Sequence, residues 1–158
     1  NYSEEGVLEA KASLDRLYTS LIDLDLRKEN HSDDADIISP FREAMEDDFN
    51  VPSALAALFE IAKSINLAKE SGNNKEANVL GATLVHLSEP LGILQQKVED
   101  YFRLGATLSN EEIQSMIDQR NKARDDKDFE LSDKIRDSLL EQGIVLEDTD
   151  KGTIWKVR

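Results

Sequence analysis

Cysteine is absent from the 158 residues of this chain, and aromatic residues make up only 6% of it. Without thiols, disulfide bridges and thiolate zinc sites are excluded. The shortage of aromatic residues means that the core must consist mainly of Leu, Ile, Val and Ala. Hydrophobic residues at 39% and charged residues at 33% are nevertheless typical of a folded globular protein rather than a disordered one.

Positive charge is also scarce, since 19 Lys and Arg face 33 Asp and Glu and the formal net charge is -14. Such a chain is poorly suited to bind phosphate backbones or anionic membranes through bulk charge. The imbalance is uneven: residues 106–158 hold nine basic and thirteen acidic residues, whereas residues 1–105 hold ten and twenty. Any nucleic-acid site is therefore expected in the last third, where it must rely on individual side chains.

Long apolar segments are missing as well. No run approaches the roughly 20 residues that span a membrane, and no secretory signal is present. We therefore expect no membrane partner and a cytoplasmic location. The chain begins at Asn1 and enters a helical pattern at once, which we interpret as a piece of a longer polypeptide.

Apolar residues at helical spacing predict four helices in the first two thirds. The first is expected to begin at Ser3, the second at Ser39-Pro40 after a polar loop over 29–36, and the third at Asn50. The segment 71–74 separates the third helix from a fourth, which is interrupted near Pro90. The buried stripe of the first helix is expected to contain Val7, Ala10, Leu14, Leu17, Leu21 and Leu24. Residues 1–104 are therefore predicted to form an antiparallel helical bundle.

The pattern changes after residue 104. Ser109 and Glu112 fit a capping box, and two helices are predicted before Gly143, the second burying Leu131 among other residues. The β-type runs 144–146 and 153–155 then predict a two-stranded ribbon, with Trp155 anchoring it to the helices. The predicted fold is therefore mainly α: a helical bundle over 1–104 and a small α+β domain over 105–158.

Catalytic chemistry has no support in the sequence. It contains no Gly-rich phosphate loop, no cluster of metal ligands and no nucleophile elbow. His31 is expected to be solvated and His86 half-buried. The acidic pair Asp47-Asp48 is interpreted as solvated in preference to a cation site. We therefore predict no catalytic residue, no metal ligand and no cofactor in this chain.

One group of residues in the last third is more informative. Asp133 and Arg136 are three residues apart on a predicted helix, and spacing alone favours a simple ion pair within that helix. Carboxylates and guanidinium groups beside an aromatic ring such as Phe129 also suit unpaired bases, because base edges offer donors and acceptors and base faces stack. Spacing leaves both interpretations open.

Two long motifs carry a family resemblance. The segment 44–55, AMEDDFNVPSAL, closely resembles a signature of cysteinyl-tRNA synthetases, with Glu46 where Asp is usual. The segments 128–137, 143–149 and 152–155 resemble the extreme C-terminus of the same family, and residues 1–5 resemble the start of its helical domain. The resemblance spans essentially the whole chain in the correct order.

The resemblance implies a class I synthetase that joins cysteine to its tRNA using ATP, with zinc in a catalytic core that is not found in this chain. ATP and zinc would thus be cofactors of the parent enzyme only. The implied partners are cysteine tRNA and the missing N-terminal catalytic domain, and we expect a monomer. The bundle is expected to support the inner stem of the tRNA, and the small domain to read the GCA anticodon.

The resemblance also implies individual anticodon contacts. Asp133 and Asp148 are expected to accept hydrogen bonds from base amino or imino groups, Arg124 and Arg136 to contact base acceptors or phosphates, and Phe129 to stack. Relatives can have Trp at the stacking position, and Phe offers less area there. Two alternatives stay open: an acidic helical protein-interaction or structural module without RNA binding, and a related core that ligates cysteine to a different acceptor.

Overall fold

The computed structural model describes residues 3–158 and confirms the mainly α prediction. These residues divide into two compact units, one extending to Val98 and one comprising Glu99–Arg158. The division falls before the boundary that the sequence suggested after residue 104, and that boundary stays a prediction. Each unit has its own set of packed elements.

The first unit is a helical bundle. Its elements are α1 (Glu4–Leu21), α2 (Ala35–Glu46), α3 (Val51–Glu70), α4 (Asn74–Ser88) and a 3-10 turn at Glu89–Leu91. Helix α3 packs against α1, α2 and α4. Its core is aliphatic, as composition predicts, apart from aromatic residues on α1 and α2, and includes Leu17, Tyr18, Leu21, Phe41, Leu58, Ile65, Leu80 and Leu84.

Local capping chemistry fixes several helix ends as predicted. The Ser3 hydroxyl accepts a hydrogen bond from the Gly6 amide at 3.1 Å and begins α1. The Asn50 side chain accepts from the Ser53 amide at 3.2 Å and begins α3. Gly72 adopts a φ of +73° after α3, which is the left-handed conformation that glycine takes at low cost.

Two predictions for the first unit are wrong. Helix α2 begins at Ala35 rather than at Ser39-Pro40, because the Asp34 side chain caps it by accepting from the Asp36 amide at 3.0 Å. Pro40 lies inside the helix, at the cost of one backbone hydrogen bond. The stripe on α1 is buried only in its C-terminal half, and Val7 is 57% exposed. Helical spacing predicts which face is apolar but not how far a neighbouring helix extends along it.

Helix α3 has the length and apolar composition to cross a membrane, contrary to the expectation that no segment would do so. One helix of this kind is weak support for a membrane protein, since the core helix of a soluble protein passes the same test. Six residues of α3 are buried in the bundle, among them Leu58 and Ile65. Its composition is therefore accounted for by its central place in the first unit.

The second unit combines helices with a β-ribbon. Its elements are α5 (Val98–Arg103, whose first residue closes the first unit), α6 (Asn110–Asp125), α7 (Phe129–Glu141), β1 (Ile144–Thr149) and β2 (Gly152–Val157). Strands β1 and β2 are antiparallel, in a register that pairs Ile144 with Val157 and Thr149 with Gly152. The core cluster contains Ile113, Ile117, Ile135, Leu139, Ile144 and Trp155.

Most predictions for the second unit are confirmed. Ser109 and Glu112 form the capping box of α6, and Trp155 is only 8% exposed within the core cluster. Leu131 was wrongly expected to be buried and is 45% exposed, because α7 turns Ser132, Ile135 and Leu139 toward the core instead. The short helix α5 was not predicted, since six residues are too few to show a periodic pattern.

Candidate nucleic-acid interface

A tight turn joins α6 to α7 and sets the residue at which α7 begins. Lys127 takes a left-handed φ of +60°, and the Asp128 amide donates to the Ala123 carbonyl at 2.8 Å. The Asp128 side chain then caps α7 by accepting from the Leu131 amide at 3.1 Å. Phe129 is therefore the first residue of α7, where its ring is 63% exposed.

Three of the predicted site residues share one face of α7. Phe129, Asp133 and Arg136 are separated by four and three residues, and such positions are neighbours on a helix surface. All three side chains are largely exposed, in contrast to the buried face of the same helix. The helix thus presents a ring, a carboxylate and a guanidinium to solvent along one line.

The ion pair that the spacing of α7 predicted is present. Arg136 Nη2 lies 3.4 Å from Asp133 Oδ1, and the two side chains are 53% and 62% exposed. Exposed pairs of this kind contribute about 0–1 kcal/mol, so a ligand can replace the contact at little cost. The pair is therefore compatible with both interpretations that the sequence left open.

Asp148 is the centre of a second group, formed between α6 and the ribbon. Both of its carboxylate oxygens accept from Arg120, with Nη1 at 3.0 Å from Oδ1 and Nη2 at 2.9 Å from Oδ2. Arg124 Nη1 donates to Oδ2 at 3.0 Å, and the Thr153 hydroxyl donates to Oδ1 at 2.8 Å. The carboxylate therefore accepts four hydrogen bonds from three side chains.

The electrostatics of this group follow from its contacts. Hydrogen bonds from Arg120 and then Thr153 hold the pKa of Asp148 well below its ordinary value, with further help from the positive charges of Arg120 and Arg124. The pKa of Arg120 is raised, chiefly by its hydrogen bonds to Asp148 and to a smaller extent by the charge of Asp133. Asp133 on α7 is therefore close enough to Arg120 to favour its charged form.

The structure therefore brings together Arg124 and Asp148 by direct contact, and Asp133 and Arg136 by an ion pair. Phe129 joins them through the geometry of α7. Sequence reasoning missed Arg120 and Thr153 as members of the site. A signal existed for Arg120, since it follows Ile113 and Ile117 at helical spacing and places a charge on the apolar face of α6.

The two histidines lie in the first unit. Their rings stack with centroids 4.0 Å apart, and the planes of His31 and His86 differ by 13°. The prediction that His86 is half-buried is close, since its side chain is 47% exposed. Across residues 3–158, no three His, Asp or Glu side chains come together in a way that could hold a metal ion.

Comparison with known proteins identifies the two units separately. Residues 40–95 match the DALR domain family, and residues 109–155 match the family described as the cysteinyl-tRNA ligase anticodon binding domain. A cysteine–tRNA ligase of Shewanella sediminis (strain HAW-EB3) is 45% identical over 157 residues, covering 99% of this chain and 34% of that protein. This chain belongs to the cysteine–tRNA ligase family. It corresponds to the C-terminal part of those proteins and confirms the resemblance noted in its motifs.

Other cysteine–tRNA ligases give the same picture. The protein of Actinobacillus succinogenes is 45% identical over 159 residues, and that of Francisella tularensis subsp. novicida is 42% identical over 157. In both cases 99% of this chain is covered, and it spans about a third of the length of the relatives it matches. All five predicted site residues fall within the segment that matches the anticodon-binding family of cysteine–tRNA ligases.

Proposed function

We propose that this chain binds cysteine tRNA and reads its GCA anticodon with the exposed face of the second unit. The observation that carries the proposal is the alignment of Phe129, Asp133 and Arg136 on one exposed face of α7, within a segment that matches an anticodon-binding family. Arg124 and Asp148 form an ion pair between α6 and the ribbon of the same unit, and Asp133 contributes to the raised pKa of Arg120, which also contacts Asp148.

Each side chain has a chemical role in this proposal. Phe129 stacks on a base that is turned out of the anticodon loop, since its ring is free of the core. Asp133 accepts from amino or imino groups on a base edge, and Arg124 and Arg136 donate to base acceptors or to nearby phosphates. Asp148 supplies a further acceptor at the end of β1, held in place by its protein partners.

Reading base edges also resolves the difficulty raised by the charge of the chain. With a net charge of -14, the protein has little bulk attraction for phosphates. Stacking and hydrogen bonding to unpaired bases depend on a few placed side chains rather than on net charge. We therefore expect modest affinity that falls further as salt is added, combined with a clear preference for the correct anticodon bases.

We further propose that the full-length protein is a monomeric, cytoplasmic class I ligase that attaches cysteine to its tRNA using ATP. ATP and zinc are assigned to the portion of the relatives outside the matched segment, and the catalytic part there is a partner of this chain. This chain does not fit the zinc, because it has no cysteine and its described residues form no metal-binding group. No catalytic step is assigned to this chain, and its first unit is proposed to support the inner stem of the tRNA.

The proposal is tested by equilibrium binding of the 158-residue chain to transcripts of cysteine tRNA. One transcript carries the GCA anticodon, and three others carry one altered anticodon base each. We expect each altered base that is read to weaken binding by about 1–3 kcal/mol. Equal affinity for all four transcripts would remove the anticodon-reading claim, and absence of any salt-dependent tRNA binding would favour a protein-interaction role for the acidic chain.

A further inference from the structure

Arg120 differs from the other cations of the second unit because it is buried. It lies on the apolar face of α6 with Ile113 and Ile117, and its side chain is only 9% exposed. A guanidinium stays charged at all accessible pH values, so its burial requires a partner. Both terminal nitrogens donate to Asp148, whereas the buried Nε has no hydrogen-bond partner among the described residues.

Asp148 has no acceptor position left in the free protein. A carboxylate offers about four lone-pair sites, and those of Asp148 are taken by Arg120 twice, by Arg124 and by Thr153. A base donor can therefore reach Asp148 only if one of these partners leaves. The partner that leaves determines which oxygen of Asp148 becomes available to a base.

The two arginines differ sharply in how easily they can leave. Arg124 makes one hydrogen bond to Oδ2, and its side chain is 48% exposed, so it can swing into water and remain solvated. Arg120 makes two hydrogen bonds and has no solvated alternative, since leaving Asp148 would strand a buried charge. The Arg124 contact is thus the exchangeable one.

We propose that Arg120 is a positioning residue for anticodon reading, holding Asp148 in one orientation while a base replaces Arg124 at Oδ2. This inference rests on the proposed function of the same face. Arg120 itself touches no RNA, and it acts only through the carboxylate that it holds. Arg124, once displaced, is free to donate to a base acceptor or phosphate beside the same nucleotide.

Thr153, the third partner of Asp148, supports a fixed carboxylate with an exchangeable Arg124. Thr153 lies directly across the ribbon from Asp148 and fixes Oδ1, so Arg120 and Thr153 together orient the carboxylate. The lowered pKa of Asp148, due first to Arg120, keeps the carboxylate ionised and therefore able only to accept. A fixed acceptor rejects a base that presents another acceptor at the same place, which is the basis of discrimination.

The test compares Arg120→Met and Arg120→Lys with the wild-type chain, using the four tRNA transcripts described above. Arg120→Met removes both hydrogen bonds, and Arg120→Lys keeps the charge but loses the two-pronged geometry. Discrimination is the ratio of the affinities for the GCA transcript and for a transcript with one altered base. For the base that Asp148 contacts, we expect this ratio to fall at least about tenfold in both variants. The slope of log K against log salt should stay unchanged, because Arg120 neutralises no phosphate.

The matched control is Lys122→Met, which removes one positive charge from the exposed surface of the same helix. It should preserve discrimination at every anticodon position. Folding of each variant is checked by circular dichroism and thermal unfolding. If the Arg120 variants do not fold, Thr153→Val provides the readout, since it removes a hydrogen bond to Oδ1 with little change in shape and should reduce the same discrimination several-fold.

The outcomes separate this inference from the proposed function. A wild-type chain that binds all transcripts equally overturns the proposed function, and this inference with it. If the wild type discriminates between transcripts, and Arg120→Met and Thr153→Val both discriminate as well as the wild type, only the positioning role is overturned. An equal loss of affinity for every transcript, or a reduced salt slope in Arg120→Met, also overturns it, because a structural support would give the first result and a phosphate contact the second.

Discussion

Asp148 and Thr153 face each other across the two strands of the ribbon, and the Thr153 hydroxyl donates to Asp148 Oδ1 at 2.8 Å. This contact, together with the stronger effect of Arg120, lowers the pKa of Asp148 in the folded state. In the unfolded chain an Asp titrates near pH 3.9. Asp148 therefore contributes stability that is complete at neutral pH and is lost progressively as the pH falls below about 4.

The variant Asp148→Asn tests this linkage. At pH 7 we expect it to lower the free energy of unfolding by about 1–3 kcal/mol, less than for a fully buried pair because the Asp148 side chain is 45% exposed. The difference from wild type should narrow as the pH is lowered from about 5 toward 2. Urea unfolding followed by circular dichroism measures the loss at pH 7 and its change with pH. Thr153→Val should also lower the free energy of unfolding at pH 7, by a smaller amount. If the free energies of unfolding of wild type and Asp148→Asn differ by the same amount at every pH, the account is contradicted.

Trp155 is predicted to hold the ribbon on the helices. Trp155→Ala should destabilise the second unit by about 3–5 kcal/mol, since the indole lies in the core cluster and is 8% exposed. The neighbouring Ile154 is 37% exposed, and Ile154→Ala is the matched control with an expected loss below about 1 kcal/mol. Thermal unfolding followed by circular dichroism measures the two losses, and similar values for both variants would show that Trp155 is not the anchor.

Phe129 is predicted to stack on a base. Phe129→Ala should weaken binding of cysteine tRNA by about 1–3 kcal/mol and change the stability of the fold by no more than about 0.5 kcal/mol, since the ring is 63% exposed. Phe129→Trp should bind at least as tightly as wild type, because the larger ring offers more stacking area. Leu131→Ala, on the same helix and 45% exposed, is the control. An equal loss of affinity in the control would argue against stacking.

Asp133 is predicted to read a base edge rather than to stabilise α7. Asp133→Ala should reduce discrimination between the GCA anticodon and an altered one by about 1–3 kcal/mol. Glu141→Ala removes the same charge from the exposed surface of the same helix and should preserve discrimination. If Asp133→Ala binds and discriminates like wild type, its ion pair with Arg136 at 3.4 Å is its whole role.

Sequence patterns predicted those parts of the site that depend on local geometry. The face shared by Phe129, Asp133 and Arg136 follows from helical spacing. The contact between Arg120 and Asp148 joins residues 28 positions apart, from a helix to a strand, and no local pattern encodes it. The family resemblance supplied Asp148 but not the residue that holds it.

The errors in the fold have two origins, a competing local cap and the packing of distant elements. Ser39-Pro40 is a sound helix start in isolation, yet Asp34 caps α2 earlier. Val7 and Leu131 fit apolar patterns, but burial depends on whether another element lies opposite, which is a property of the packed unit. Helical spacing is therefore predictable from a single sequence, whereas the choice between two competing caps and the extent of a buried face are not.

The central claim is most directly tested by an NMR titration of the 158-residue chain with an RNA stem–loop carrying the GCA anticodon. We predict shifts concentrated at the end of α6, along α7 from Phe129 to Arg136, and at Asp148 and Thr153 in the ribbon. A stem–loop with altered anticodon bases should produce much weaker shifts at the same residues. Shifts that are equal for both RNAs, or that fall elsewhere in the chain while these residues stay unchanged, would contradict the account.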